Sequence, residues 1–416
     1  MSAIALLQAG CGAPSEPVGT NSLAIASPAA QPRPEPIEGD ELKARLDKTL
    51  EEVFERRTLN LERNAAWQIL HGVLAYRMEC LMETGDSESP MKPVVAHLLG
   101  GGEMRGWDVH PGVSFDNGRR GLRVAMDVGS KAGQGHPDQW FAILAQCGLP
   151  PTQKVMLKGQ EYMLADMLQQ IQFEVPRNET AEYSWTLIGV TTYYPTTVSW
   201  QAIDGETWSV ERLVEIELEH ELDSSACGGT HRLIGLAMAR NRRAVDQDPL
   251  DGIWATVEQR LADAVERAKS LQNPDGSFST HYFARPSTSP DLAQNLGATG
   301  HILEYLTIAL KREQLDEAWV RHSVEYICDL LERTRDLPLE CGALYHAVHG
   351  LVLYRERVYG PRRFGKPETP AATTPDAKDA PSDVKDAPAD AADAVDRGKT
   401  PPDAADGADA ISEPQA

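Results

Sequence analysis

None of the six cysteines belongs to a Cys-x2-Cys pair, so the ligand spacing of a structural zinc finger is missing. With Cys11 set apart for a reason given below, Cys80, Cys147, Cys227, Cys328 and Cys341 remain. An odd number argues against a disulfide framework, and buried free thiols are the expectation. Beyond Cys11 no stretch has the roughly 18 uninterrupted apolar residues of a membrane helix. Positive charge is also short: 40 Lys and Arg face 62 Asp and Glu, a net charge of -22. Twelve of the acids and five of the bases lie from Lys366 onward, so the body is strongly acidic without them. Such a surface repels phosphate backbones and argues against nucleic acid as a partner.

Core-forming residues are scarce at both ends. Residues 361–416 are mainly Ala, Asp and Pro and predict a disordered acidic tail. At the other end MSAIALLQAGCGAPSEP resembles a bacterial lipoprotein signal over residues 1–11, with Cys11 as the lipid acceptor. The Pro-, Ala- and Ser-rich residues 12–37 then suit a tether between membrane and domain. This points to a cell-envelope protein attached to the membrane through a lipid on Cys11; the alternative is a cytoplasmic chain with an unstructured leader. What remains, residues 38–360, is about 320 residues long, enough for one large domain.

What is abundant in that body is a recurring apolar segment. NAAWQILHGVLAY (64–76), HPDQWFAILAQ (136–146), YSWTLIGVTTYY (183–194), ACGGTHRLIGLAMA (226–239), LGATGHILEYLTIAL (296–310) and ECGALYHAVHGLVLY (340–354) are apolar nearly all round, as helices buried on every side must be. Anchored at Trp67, Gln139, Trp185, His231, His301 and His346, they are spaced 72, 46, 46, 70 and 45 residues apart. A period near 45, twice lengthened by insertions, is the mark of a repeated helix pair. Between them lie amphipathic partners at 41–57, 162–175, 209–222, 253–272 and 316–335. The partner before His136 is undecided between MKPVVAHLLGGG and GLRVAMDVG. The pattern predicts an all-α fold, an (α/α)6 toroid with six inner and six outer helices, with glycines such as Gly235, Gly300 and Gly350 where inner helices crowd together. An open superhelical stack is the alternative.

The turn LQNPDGSFSTHYF carries Gln272, Gly276 and Phe278 as Q-x3-G-x-F, and WQAIDGETW echoes it with Gln201, Gly205 and Trp208. The first resembles the QW-type repeat of squalene and terpene cyclases and the related turns of protein prenyltransferase β subunits. The resemblance implies an α/α toroid in which the glutamine ties a turn to the next helix and the aromatic covers it. It does not imply the family's activities: the body has no Asp-x-Asp-Asp acid and no Asp-x-Cys zinc pair.

Position then selects the candidate chemistry. His231, His301 and His346 occupy equivalent turns of three inner segments and are expected to point toward the ring axis, where imidazole can act as acid, base or ligand. Glu304 and His349 follow His301 and His346 by one turn and would share their face. A tie between neighbouring inner helices is the plainer role for each of these histidines. Asp138, with Asp204, Asp275 and Glu340, sits where acids stand in glycan-active toroids, and Trp67, Trp185, Trp140, Trp200 and Trp208 could stack sugars. Helix-dipole stabilisation and core packing are the plainer explanations. The leading expectation is therefore a toroid that binds a ligand or protein partner in or over its centre, with His231, His301, His346 and Asp138 as the catalytic candidates if it is an enzyme and Trp67, Trp185, Glu304 and His349 as ligand contacts. The alternative is a glycan-active hydrolase or lyase, or an isoprenoid-active enzyme. No pattern selects a cofactor or a metal.

Overall fold

The computed structural model describes residues 39–365; Cys11, the linker and the tail from Lys366 lie outside the described residues. Among the described residues helix outweighs strand by 54% to 12%. The described residues form twelve α-helices in order: α1 (Gly39–Arg56), α2 (Ala66–Tyr76), α3 (Val94–Leu99), α4 (Gln139–Ala145), α5 (Leu164–Glu174), α6 (Ser184–Tyr193), α7 (Val210–Glu219), α8 (Thr230–Val245), α9 (Ile253–Ser270), α10 (Leu292–Ala309), α11 (Ala318–Arg333) and α12 (Cys341–Tyr359). All six apolar segments became even-numbered helices and all five amphipathic ones odd-numbered helices. Polarity explains the division. In α10 every side from Asn295 to Thr307 is buried, whereas α11 buries an apolar stripe of Val320, Val324, Ile327, Cys328 and Leu331 and leaves Arg321, His322, Asp329 and Glu332 half-buried. Glu340 caps α12 by accepting from the Ala343 N–H, and Asp291 caps α10 through Ala293.

The all-α expectation needs correction in its connections. Nine short strands are present among the described residues: β1 (Leu59–Asn60), β2 (Leu81–Glu83), β3 (Met91–Pro93), β4 (Asp108–Ser114), β5 (Arg120–Ala125), β6 (Lys154–Leu157), β7 (Gln160–Met163), β8 (Ser199–Gln201) and β9 (Thr207–Ser209). Antiparallel pairs β2–β3, β6–β7 and β8–β9 each stand between an apolar helix and its partner, and the second strand runs directly into α3, α5 or α7. WQAIDGETW is thus a hairpin, with Trp200 opposite Trp208 and Gly205 at φ +78° in its turn. The competition before His136 is also resolved: PVVAHLL supplies α3, while GLRVA forms β5. LQNPDGSF does form the expected turn. Gln272 Nε2 donates to the carbonyls of Gly276 and Trp319, tying the turn to the start of α11, and Phe278 is fully buried over it.

Successive apolar helices pack on one another, α2 on α4, α4 on α6, α6 on α8, α8 on α10 and α10 on α12, and α12 packs on α2. Arg77, just after α2, donates to both oxygens of Glu356 on α12 at 2.7 and 2.9 Å, so that last contact is also ionic. The partner helices lie against them: α1 on α11 and α12, α7 on α6 and α9, α9 on α8, and α11 on α10. The body continues past residue 360, because Phe364 is buried against Phe54 and Tyr76.

Glycines set the closest approaches. A Cβ on Gly300 would stand 2.6 Å from the Ala347 backbone, and one on Gly235 would stand 2.7 Å from the Ser184 carbonyl oxygen. Gly300→Ala gains about 1 kcal/mol of helix propensity. It also forces α10 off α12 at a backbone contact that cannot rotate away, at a cost of about 1–3 kcal/mol. The expected net result is a less stable chain in urea unfolding; a more stable one would show that α10 and α12 separate without penalty. Gly228 and Gly229 have a different role: they lie before α8 in a left-handed turn, at φ +61° and +74°.

Candidate functional site

Close packing of the apolar helices brings aromatic rings together. His71 comes from α2, His136 from the turn before α4, Trp185 from α6, His231 from α8, His301 from α10 and His346 from α12. His301 and His346 stack with centroids 3.8 Å apart, directly above the Gly300–Ala347 contact. His231 lies 5.2 and 5.5 Å from them, 4.4 Å from His136 and 5.0 Å from Trp185. His71 meets His346 edge-on at 5.1 Å and Trp67 at 4.3 Å. All five imidazoles are closed off from solvent, between 1% and 4% exposed. The three expected histidines therefore do face one another.

Most of these rings are anchored through Nδ1. His71 donates to the Trp67 carbonyl at 2.5 Å and His301 to the Gly297 carbonyl at 2.7 Å, each one helical turn back. His346 and His349 donate to the two oxygens of Glu304, at 2.8 and 2.5 Å. His136 is bonded to Glu182 at 2.9 Å. An imidazole that donates from Nδ1 keeps its lone pair on Nε2. His231 differs: neither of its nitrogens has a hydrogen-bond partner, and Nε2 of His301 and of His349 has none either. Glu182 Oε1 stands 4.0 Å from His231 Nδ1.

Burial controls the protonation of the rings. It pushes His301 down to about 3, helped by His346 nearby, and lowers His231 and His346 well below the usual imidazole range. His71 is lowered for the same reason, although its bond to Trp67 opposes it. Burial raises Glu182 less than His136 and Arg232 lower it, so this carboxyl sits below its ordinary value. His71, His231, His301 and His346 are thus held as neutral nitrogen donors.

The other candidates fall into two groups. Trp67, Trp185, Glu304 and His349 are part of the cluster, with both indoles packed against imidazoles rather than lining a groove. Asp138 is apart: it precedes α4 at φ +58° and accepts from the Thr186 hydroxyl at 2.6 Å, and burial raises it to about 6. Asp204 and Glu340 serve a turn and a helix cap. Cys80, Cys147, Cys328 and Cys341 are free thiols as expected. Cys227 is buried and is not one of these free thiols.

His71, His136 and Glu182 are site residues that sequence reasoning missed. A signal existed for His71, since it stands one turn after Trp67, the residue used to phase its segment. Phasing on Trp67 hid the imidazole. Glu182 had no signal, because it stands outside the apolar run and reaches His136 only through the fold. In comparisons with known proteins the chain matches no protein-family profile, no curated protein and no solved structure.

Proposed function

We propose that this chain is an (α/α)6 toroid that works by binding, and that its binding centre is the imidazole cluster between the inner helices. The cyclic order of contacts from α2 through α12 supports the toroid. One observation carries the binding role: His231 is buried with both ring nitrogens lacking a partner. A buried polar group left unpaired costs about 1–3 kcal/mol. A ring kept only for packing would be replaced by leucine at a gain. An unpaired imidazole among other imidazoles is the expected cost of a centre that gains its partner from a ligand.

Catalysis in the manner of terpenoid cyclases or glycan-active toroids has less support, because Asp138 is engaged with Thr186 and the tryptophans are packed. The test is equilibrium unfolding of His231→Leu against wild type, both freed of ligand by unfolding, dialysis and refolding. The variant is expected to be about 1–2 kcal/mol more stable. A loss of more than about 1 kcal/mol would make His231 a structural tie and end this reading. Attachment to the cell envelope is part of the same proposal, and radiolabelled palmitate should mark the wild type and not Cys11→Ala. Equal labelling removes the anchor.

A further inference from the structure

We infer that the ligand of this centre is a divalent transition-metal ion of the zinc, cobalt, nickel and copper class, held by one ring nitrogen each from His231, His301 and His346. The inference rests on the reading of the cluster as a binding centre and gives that centre its ligand. One nitrogen of each ring lies within 4.8 Å of the other two, and the rings come from three different helices, α8, α10 and α12. Around a tetrahedral ion with metal–nitrogen bonds of about 2.05 Å, nitrogens stand about 3.4 Å apart. The rings therefore need an inward movement on the order of 1 Å, within reach of a χ rotation.

Three further observations point the same way. First, two of the three rings have nitrogens without other work: Nε2 of His301 and both nitrogens of His231 have no hydrogen-bond partner. Second, the tautomers suit ligation. His301 is held by the Gly297 carbonyl and His346 by Glu304, and a ligand histidine characteristically donates its other N–H to a carbonyl or carboxylate in this way. Third, the charge balances. Neutral imidazoles add none, and Glu304 and Glu182 stand behind His346 and beside His231 to offset a dication out of water. Nitrogen donors of this kind select the later first-row metals over magnesium and calcium. Two further imidazoles stand close enough to offer a fourth ligand: His136, 4.4 Å from His231 by ring centroid and backed by Glu182, and His71, 5.1 Å from His346 and held through Nδ1. Cys227 groups with His136 and His231 and not with this trio, and it takes no part here.

With the rings closed off from solvent, the ion enters during folding or through local opening, so exchange is slow once the chain is folded. The experiment uses the full chain, unfolded in denaturant with chelator, then refolded with Zn²⁺ or Co²⁺ and freed of excess metal. Elemental analysis is expected to give about one ion per chain, and Co²⁺ to show the intense visible bands of a tetrahedral nitrogen site. His301→Asn and His346→Asn, each checked for wild-type circular dichroism, should lose at least tenfold in ion content; the exposed His110→Asn should lose nothing. Failure of the refolded wild type to retain either metal overturns the inference, as does full retention in the two Asn variants. If His231→Leu proves stabilising and no metal is held, the binding centre stands and its ligand is of another class. If His231→Leu is destabilising, the centre itself is lost.

Discussion

Glu304→Leu is expected to lower the free energy of unfolding by about 3–5 kcal/mol. The carboxylate is 2% exposed and accepts from two imidazoles of α12, one on each oxygen. Leucine fills the space and leaves two buried Nδ1–H donors with nothing to accept them, and each such donor costs about 1–3 kcal/mol. Glu304→Gln separates this structural effect from the effect on the centre. Glutamine keeps the volume and one acceptor, but its NH2 group then faces a donor, so one imidazole must move its proton to Nε2. Stability falls less than with leucine, while ion retention falls as far if His346 is the ring that changes. Denaturant unfolding and metal content of both variants check this. A loss below about 1 kcal/mol for Glu304→Leu would mean that the imidazoles find other acceptors.

A loss of similar size, about 3–5 kcal/mol, is expected for Arg232→Met. Arg232 follows His231 on α8 and donates to Glu217 at 2.8 Å, to the Ser225 hydroxyl at 2.9 Å and to the Ala181 carbonyl. Glu217 also accepts the Tyr183 N–H, so the pair pins residues 181–183, the segment that delivers Glu182 to His136. Burial already pushes the Glu217 carboxyl up to about 7 with Arg232 opposing. Without the guanidinium it rises further. A carboxyl whose folded pKa exceeds its unfolded value binds a proton on folding, so the deficit of the variant should shrink as pH falls from about 8 to about 6. The double variant Arg232→Met/Glu217→Leu should recover most of the loss, since no buried charge is then left alone. Unfolding curves at the two pH values decide it, and a deficit that grows on acidification would contradict the assignment.

The sequence determined much of this by itself. Period and polarity located every apolar helix and five of its six partners, because a helix buried all round and a helix buried on one stripe carry different patterns wherever they sit. Gln272 and Phe278 announced a turn tied to the next helix. Spacing also placed His231, His301 and His346 at equivalent turns and Glu304 and His349 one turn on. The hairpins were less visible. Each strand spans only two to seven residues, too few for an alternation to stand out, although Asp204-Gly205 is a hairpin turn signal that the likeness to a QW turn obscured.

Only the tertiary structure decided that the rings meet. Equivalent positions fix the sense in which side chains point, but the distance between them depends on how closely the helices approach, and that was set by Gly300 against Ala347 and Gly235 against Ser184. Nor could the chain's pattern say which nitrogens have partners, since Glu182 and His136 stand 46 residues apart and Glu304 and His346 stand 42 apart. A hydrogen bond across such separations is made by packing, and packing is where an imidazole becomes either a tie, as in His349, or a donor left with no partner, as in His231.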